Sequence, residues 1–297
     1  MSTVREHQAA GLEYLGLVTT LLQTARRAHP TAGVWEAADL QWWWRRDQHP
    51  DAAEATFWLD GEVPVAAAVC MNWGDRIECV VLGADPDGPA AIELAWPHLR
   101  QHVDTRRDVP VEMIVRDDDS ELLEAVGAAG FEPTDEVGVS TWMRASQRPA
   151  VPPAPSGFEL VAKSDATARP HPMIGRSGED VAERLNECSL YRPELDLAVY
   201  DADGTVAGYA LFWADPVTGV GLVEPMRTED AFQRMGVGRL LLAAGLDRLA
   251  AQGCSRLKVS YVVGNDASRA LYLGAGFHPG SRDRTCRRVQ DSVRVRS

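Results

Sequence analysis

A turn in the last third of the chain has the residue types that bind phosphate. Gln233-Arg234-Met235-Gly236-Val237-Gly238 follows an apolar strand pattern and precedes a leucine-rich run (240–249) whose spacing predicts a helix with one buried face. Gly236 and Gly238 leave the backbone free to approach a ligand, and the N–H groups at a helix start attract negative charge. The turn lacks the Gly-Lys-Ser/Thr ending of a phosphate loop and the Gly-x-Gly-x-x-Gly of dinucleotide folds. The sequence therefore predicts a phosphate-bearing ligand of another class.

The residues after the helix narrow that class. Leu257–Val262 reads as a strand and is followed by Asn265, Ala270-Leu271-Tyr272 and Gly276-Phe277. Gln-x-x-Gly-x-Gly, a strand, Asn, Leu-Tyr and Gly-Phe, in that order, resemble the acetyl-CoA-binding core of the GCN5-related N-acetyltransferases (GNAT) over about the last 80 residues. The resemblance implies an α/β domain with a mixed, mostly antiparallel sheet flanked by helices, acetyl-CoA as cosubstrate and no metal. A plain strand-helix-strand unit without a ligand is the alternative.

The resemblance also implies where acetyl-CoA contacts the chain. In the family, the fourth strand diverges from the fifth, and its free backbone groups bind the pantetheine arm. The pyrophosphate lies on the amides of the glycine turn. The implied contacts are Met226, Arg227, Thr228, Gln233, Arg234, Met235, Gly236, Val237, Gly238, Arg239, Asn265 and Ser268. Thr228-Glu229-Asp230 stands where the family has Val-x-Pro, either arginine could simply be solvated, and Asn265 could serve only as a helix N-cap.

Two residues are candidates for proton transfer. Acetyl transfer from a thioester to an amine needs a neutral amine and a proton for the departing thiolate. Tyr272 follows Asn265 by the family's interval of seven residues, and a phenol can supply that proton; packing beside Phe277 is the alternative. Glu224 is a carboxylate in an apolar strand, which is costly unless the side chain faces a wet cleft. It is the candidate base or substrate anchor, with an ion pair to an arginine or a water relay as alternatives.

The acceptor substrate is not named by the sequence. By position in the family, its contacts fall on Tyr191, Arg192, Tyr209 and Trp213, and around His171, although these residues are equally consistent with packing. The predicted activity is acetyl transfer from acetyl-CoA to a primary amine of a small molecule or peptide. We expect direct transfer because no cysteine has a motif that marks an acetyl carrier. A non-catalytic acyl-CoA-binding sensor or assembly module is the alternative function.

The chain looks like an internal duplication. The Asp60-Gly61 and Asp203-Gly204 turns lie 143 residues apart and the two Gly-Phe pairs 146 apart, within similar orders of strands and helices. Four prolines in 149–155 indicate a linker. The first copy has Gly83-Ala84-Asp85-Pro86-Asp87-Gly88 in place of the glycine turn, and its carboxylates would repel phosphate. We therefore predict two tandem GNAT-like domains: a degenerate domain at 1–148 without the cofactor motif, and an acetyl-CoA-binding domain at 156–297.

The N-terminal region is predicted to be helical. Apolar spacing predicts a first helix over Glu6–Arg27 and a second over Ala37–Arg46. Trp42, Trp43 and Trp44 cannot all face one core on a helix, so at least one should meet a neighbouring domain or a ligand.

Composition limits the partners. A net charge of -13 and a pI near 5.0 argue against general affinity for nucleic acid or anionic membrane. The basic end, with Arg282, Arg284, Arg287, Arg288, Arg294 and Arg296, is predicted to be a solvated terminal strand. Five widely spaced cysteines without a Cys-x-x-Cys pair indicate reduced thiols in the cytoplasm. The sequence shows neither a membrane-spanning apolar run nor a signal-peptide pattern, and we expect a monomer or homodimer.

Overall fold

A computed structural model of the chain describes residues 4–45, 53–105 and 109–288. The chain divides into two compact units, the first formed by Met1–Val34, Gln48–Gly138 and Ser281–Ser297, the second by Trp35–Asp47 and Val139–Gly280. The strands within the described residues are β1 (Val4–Ala9), β2 (Ala53–Asp60), β3 (Val63–Asn72), β4 (Ile77–Gly83), β5 (Val111–Arg116), β6 (Phe131–Arg144), β7 (Phe158–Ala162), β8 (Asp196–Asp201), β9 (Val206–Asp215), β10 (Val220–Thr228), β11 (Arg256–Val262) and β12 (His278–Arg288). The α-helices are α1 (Gly11–Ala28), α2 (Ala37–Trp43), α3 (Trp96–Thr105), α4 (Ser120–Ala128), α5 (Ile174–Ser177), α6 (Val181–Glu187), α7 (Val237–Ala251) and α8 (Asp266–Gly274).

The first unit is a mixed sheet with helices. Strands β1 to β4 form an antiparallel meander, and β5 joins β4 in parallel through Ile77–Cys79 and Val111–Met113. The other edge of β5 pairs antiparallel with β12, from Asp283 opposite Arg116 to Arg287 opposite Glu112. Apolar side chains from these strands form one buried core with the inner face of α3.

The second unit repeats this plan. Strands β7, β8, β9 and β10 are antiparallel in sequence order, β11 joins β10 in parallel, and β6 is the neighbour of β11. Helix α7 lies so close to β9 that a side chain added at Gly245 would overlap the ring of Phe212. Phe212 and Val223 belong to the core beneath α7. Successive side chains along a strand point to opposite faces of the sheet. The row of paired residues Trp213, Leu222 and Lys258 therefore lies on the face of the sheet that is turned away from α7.

Segments from the two halves of the sequence are exchanged between the units. Ser281–Arg288 of β12 belongs to the first unit, whereas Val139–Arg144 of β6 and the α2 segment belong to the second. The units therefore divide the chain differently from the predicted boundaries of 1–148 and 156–297. The cause is long-range strand pairing, exemplified by Thr134, whose hydroxyl donates a 3.0 Å hydrogen bond to the carbonyl of Thr285.

Three local predictions need correction. The predicted helix from Glu6 begins instead at Gly11, because Val4–Ala9 forms an antiparallel ladder with β2. Helix α2 ends at Trp43, and Arg46 lies outside the described residues. The basic end is a strand as far as Arg288, with Arg282 and Arg287 exposed, but its arginines also form ion pairs: Arg284 with Asp117 at 2.6 Å and Arg288 with Asp104 at 2.7 Å. Arg282 and Arg287 also have acidic partners, Asp117 and Glu112, while Arg294 and Arg296 lie outside the described residues.

Candidate active site

Strand β10 diverges from β11 halfway along its length. Their parallel ladder covers only Val220–Leu222 opposite Arg256–Lys258. Beyond it β10 continues to Thr228, paired on its other side with β9, with an irregularity between Val223 and Met226. The edge of β10 that faces away from β9 is therefore outside the β11 ladder along Met226–Thr228, and backbone groups at an open strand edge can pair with a ligand.

The predicted phosphate turn lies directly after this edge. Arg234 and Gly236 adopt left-handed backbone conformations, with φ of 64° and 87°. Gly236 is the N-cap of α7, and no side chain caps the helix. The first N–H groups of α7 therefore lack intrahelical partners, and such groups can donate hydrogen bonds to an anion. Arg234 and Arg239 are exposed and form no ion pair with the residues that the structure describes, so both guanidinium groups are available to a phosphate.

Gly238 allows the start of α7 to approach the end of β10. A Cβ atom at this position would lie 3.1 Å from the hydroxyl oxygen of Thr228. The other predicted cofactor residues occupy the exposed turn (Gln233, Met235), the partly buried strand end (Met226, Arg227, Thr228) and the buried first turn of the helix (Val237).

The predicted cofactor residues in and before α8 already have protein partners. The side chain of Asn265 accepts a 3.1 Å hydrogen bond from the N–H of Ser268, so Asn265 is the N-cap of α8. The hydroxyl of Ser268 in turn hydrogen-bonds to Tyr272, one helical turn further along. In the turn before α7, Gln233 likewise has a protein partner, because its side chain donates a 3.1 Å hydrogen bond to Asp230. These contacts order the site but leave its exposed backbone groups free.

Glu224 lies close enough to Tyr272 for its negative charge to affect the pKa of the Tyr272 hydroxyl. Tyr272 is 6% exposed, and its ring is 6.5 Å from that of Phe277. Burial raises the pKa of the Tyr272 hydroxyl to about 12, the negative charge of Glu224 adds to the rise, and the bond to Ser268 opposes it. The phenol therefore keeps its proton at working pH.

Glu224 lies on partly buried backbone beyond the end of the β11 ladder. Burial raises the pKa of its carboxyl to about 7, and the neighbouring Asp39 adds to the rise. The guanidinium of Arg45 and a hydrogen bond from the Trp42 side chain act in the opposite direction. A carboxyl with a pKa near neutrality is well placed to exchange a proton with an amine.

Tyr191 and Trp213, two of the predicted substrate residues, form buried contacts. The hydroxyl of Tyr191 donates a 2.8 Å hydrogen bond to Asp196, and its ring is 6.3 Å from that of Trp213. Trp213 is 1% exposed and donates a 2.6 Å hydrogen bond to the backbone carbonyl of Glu224. Nearby His171 contacts the same Asp196 at 2.8 Å through Nε2. Nδ1 of His171 accepts from the N–H of Met173, so Nε2 carries the proton and donates it to the carboxylate.

The other two predicted substrate residues, Tyr209 and Arg192, also form hydrogen bonds with neighbouring protein groups. Tyr209 is 5% exposed, and its hydroxyl hydrogen-bonds to Arg176. Arg192 donates to the backbone carbonyls of Ser189 and Tyr191, at 3.0 and 2.7 Å. The contacts seen for all four predicted substrate residues are therefore with the protein itself.

Sequence reasoning missed the contribution of α2 to this site. The three consecutive tryptophans predicted that one of them meets a neighbour, but not that Asp39 and Arg45, on either side of them, affect the pKa of Glu224. It also missed the buried ion pair between Lys258 and Glu36, at 2.9 Å. A lysine within the apolar run of β11 was the available signal, by the same reasoning that singled out Glu224.

The first unit has a different turn at the corresponding place, after β4. The carboxylate of Asp85 accepts a 3.0 Å hydrogen bond from the N–H of Asp87, so a side chain of the protein occupies the position of an anion. His29 contacts both carboxylates, and Arg116 pairs with Asp87 at 2.8 Å. A cavity of about 390 Å³ beside this turn is lined by further acidic residues, among them Asp119.

Among the helices that the structure describes, none is long and apolar enough to cross a membrane. No group of three or more His, Cys, Asp or Glu side chains within residues 4–45, 53–105 and 109–288 has an arrangement that could hold a metal ion.

Part of the chain is similar in sequence to a known family. The sequence profile described as "Acetyltransferase (GNAT) family" matches residues 165–277. A mycothiol acetyltransferase of Clavibacter michiganensis subsp. michiganensis is 34% identical over 120 residues, which are 40% of this chain and 38% of that protein. The alignment thus spans well under half the length of this curated relative.

Solved structures show the same fold over nearly the whole chain. A tandem GNAT protein from the clavulanic acid biosynthesis pathway matches with a TM-score of 0.69 and 17% identity, covering 96% of this chain and 98% of that one. A GCN5-related N-acetyltransferase from Sphaerobacter thermophilus matches with a TM-score of 0.60 and 16% identity, covering 95% of each chain. The predicted fold class, two tandem GNAT-like domains, is confirmed. Residues 165–277 therefore resemble the GNAT domain in sequence, and the chain as a whole resembles tandem GNAT proteins in fold.

Proposed function

We propose that the protein is an N-acetyltransferase that moves an acetyl group from acetyl-CoA to a primary amine of a small molecule or peptide. The observation that carries the proposal is the proximity of Glu224 and Tyr272 beside the open edge of β10. The Glu224 carboxylate can accept a proton near neutral pH, because its pKa is about 7. The Tyr272 hydroxyl stays protonated near neutral pH, because its pKa is about 12. Direct acetyl transfer to an amine needs this combination of proton acceptor and proton donor.

The roles of the two residues follow from the proton balance of the reaction. Acetyl-CoA supplies an acetyl thioester, whose C–S bond breaks as the amine nitrogen forms the new C–N bond. Glu224, directly or through a water molecule, accepts the ammonium proton, so that the amine lone pair is free to attack. Tyr272 donates its hydroxyl proton to the departing sulfur, and the second proton that the nitrogen loses as the amide forms restores the phenol, so that the products are the amide and the free thiol of coenzyme A. Because the pKa of the Tyr272 hydroxyl is about 12, above that of an ordinary thiol, we expect the sulfur to be held first by a strong hydrogen bond and the transfer to be completed as the phenol regains a proton.

The second unit alone is proposed to bind acetyl-CoA. Its turn offers uncapped amides between two exposed arginines, whereas Asp85 and Asp87 occupy the corresponding turn of the first unit. Carboxylates at that position would repel a pyrophosphate. Intracellular location and a monomeric or dimeric state remain expectations from the sequence.

Binding is tested on the intact chain, because a cut at residues 149–155 would separate β12 from the strands with which it pairs in the first unit. Isothermal titration calorimetry with acetyl-CoA is expected to give one site per chain, lost in Gly236→Glu. Two equivalent sites, or undiminished binding by the variant, would contradict the assignment.

Turnover is tested with a panel of primary amines, by following acetyl-CoA-dependent thiol release. Release with at least one amine, strongly reduced in Tyr272→Phe and Glu224→Gln, is expected. Tight acetyl-CoA binding without turnover across small-molecule and peptide amines would favour the alternative, a non-catalytic acyl-CoA sensor.

A further inference from the structure

Two cysteines of the first unit face each other across the hairpin formed by β3 and β4. Cys70 on β3 is paired with Cys79 on β4 in the antiparallel ladder. Their Sγ atoms lie 3.1 Å apart, with the thiol of Cys79 donating to the sulfur of Cys70. Both side chains are buried, and both cysteines are free thiols. The two sulfur atoms are therefore in direct contact without a covalent bond between them.

The register of the hairpin explains this contact. The N–H of Ile77 donates to the carbonyl of Pro110 rather than to β3, so Ile77 and its partner Asn72 form a pair without hydrogen bonds between them. Such pairs recur at every second position of an antiparallel ladder, and Cys70 and Cys79 lie two residues further on. Their Cα atoms are then about 4.5 Å apart, within the range of about 4.4 to 6.8 Å found in disulfides. The backbone is therefore already placed for a disulfide bond.

The other three cysteines are placed differently. Cys286 on β12 lies in the same row of paired residues, but Met113 on β5 stands between it and Cys79. Two strand spacings separate these cysteines by about 10 Å, too far for a disulfide. Cys188 and Cys254 belong to the second unit, and burial raises the pKa of their thiols to about 12 and about 11, which disfavours the reactive thiolate. The fold therefore selects the hairpin pair.

We propose that Cys70 and Cys79 are a reversible oxidation site, at which hydrogen peroxide converts the two thiols into a disulfide bond. Peroxide suits a buried pair because it is scarcely larger than water and adds only one oxygen atom before the bond forms. A larger disulfide reagent would first form a mixed disulfide, for which a closely packed core has no room. The site lies in the first unit and depends on neither acetyl-CoA binding nor turnover, so its failure and that of the proposed function are distinguishable.

Cys70 reacts first because it is the more accessible thiol. It is 6% exposed against 0% for Cys79, and its strand ends two residues later at the exposed Asn72. The Cys70 sulfur attacks one peroxide oxygen, the O–O bond breaks, and the thiol proton leaves with the other oxygen as water, which yields a sulfenic acid. The Cys79 sulfur then attacks the sulfenic sulfur, the S–O bond breaks, and a second water leaves. Two thiols thereby give two electrons to one peroxide and become one disulfide.

Peptide mapping of the full-length native protein tests the linkage. Reduced protein is treated with hydrogen peroxide, the remaining thiols are alkylated in denaturant, and the chain is cut with trypsin, which cleaves after Arg76 and so separates the two cysteines. We expect mass spectrometry to show the peptides of Cys70 and Cys79 joined, and dithiothreitol to release them, while the other three cysteines remain alkylated. Oxidation of the pair only to sulfinic acid, or loss of alkylation first at the other cysteines, would overturn the inference.

Two variants test whether the fold or mere closeness in sequence selects the pair. Val69→Cys combined with Cys70→Val keeps the composition and moves the thiol by one residue, which turns it to the other face of β3. Side chains that point apart cannot be bridged without backbone movement, so we expect the linkage to Cys79 to be lost. Cys286→Ser, the matched control in the same row, should keep the linkage of the native chain. An undiminished linkage in the shifted variant, or its loss in Cys286→Ser, would overturn the inference.

Discussion

The indole nitrogen of Trp213 lies 2.6 Å from the backbone carbonyl oxygen of Glu224 and donates a hydrogen bond to it. The bond joins β9 to β10 at the irregularity where the two strands change register. Trp213 is itself fixed by burial and by its contact with Tyr191. The backbone of Glu224 is therefore anchored to the sheet, which is a requirement for a base that must meet its substrate in one geometry.

Removal of the phenol in Tyr272→Phe is expected to lower turnover by about 10- to 1000-fold, because one general acid is lost. Acetyl-CoA affinity should stay the same, since the proposed cofactor contacts are backbone groups of β10 and the turn. Steady-state kinetics and calorimetry on the same samples test both statements. Tyr200→Phe is the control, because Tyr200 lies on β8, its hydroxyl hydrogen-bonds to Arg169, and it has no proposed catalytic role. Full turnover in Tyr272→Phe, with chemistry limiting the rate, would mean that the proton comes from elsewhere.

Glu224→Gln is expected to change the pH dependence of stability. The pKa of Glu224 rises from 4.5 to about 7 in the folded state, so the folded protein holds this proton more tightly than the unfolded chain. The stabilisation is complete below the unfolded pKa and is lost as pH rises through about 7. Relative to Glu224→Gln, the native protein should lose about 1 to 3 kcal/mol of unfolding free energy across this range, towards the lower figure because solvent reaches the carboxyl.

Urea unfolding of both proteins at several pH values measures this difference. Glu183→Gln, a change at an exposed position on α6, serves as the control and should follow the native curve. Native and Glu224→Gln curves that run parallel from acid to alkaline pH would contradict a raised pKa for Glu224.

Two glycine substitutions separate backbone strain from ligand binding. Gly236 and Gly253 flank α7 at its two ends, and both have left-handed backbones, with φ of 87° and 88°. Glutamate at either site incurs similar strain, but only at Gly236 does it bring a negative charge to the uncapped helix start. We expect Gly236→Glu to weaken acetyl-CoA binding by at least about 100-fold and Gly253→Glu to leave it nearly unchanged. Similar losses of affinity in the two variants would remove the turn from the binding site.

The buried carboxylate of Asp196 is expected to be important for stability. It accepts hydrogen bonds from both His171 and Tyr191, each at 2.8 Å. Asp196→Ala leaves two buried donors without their acceptor, which should lower the unfolding free energy by about 2 to 5 kcal/mol. Chemical denaturation measures the loss, and Asp203→Ala at an exposed turn provides the comparison. A loss below about 0.5 kcal/mol would show that water replaces the carboxylate.

Local sequence patterns predicted much of the second unit. The strand before Pro225, the turn at Gly236 and the helix of α7 are each specified by neighbours a few residues away, and the structure contains them. The prediction of a helix from Glu6 was wrong because pairing with β2, an interaction across some fifty residues, determines the conformation there. Apolar spacing near the chain start carries no information about that distant partner.

Site prediction was limited in the same way. Residue type and spacing selected Tyr272 and Glu224, and the structure brings them near each other. The aromatic character of Tyr191 and Trp213 suggested a substrate pocket, but burial determined their contacts, and burial is a property of the assembled fold. The charges of Asp39 and Arg45 act on Glu224 from positions 185 and 179 residues earlier in the chain, so no local pattern could indicate their effect.

The exchange of β12 has a consequence for synthesis on the ribosome. Asp117, at the end of β5, and its partner Arg284 are 167 residues apart, so at about 5 to 20 residues per second β5 emerges on the order of 10 to 30 seconds before the strand that covers it. An uncovered strand edge is a template for aggregation, which charged side chains within the strand oppose. Glu112 and Arg116, which form ion pairs in the finished fold, place such charges in β5 during the interval before β12 is made.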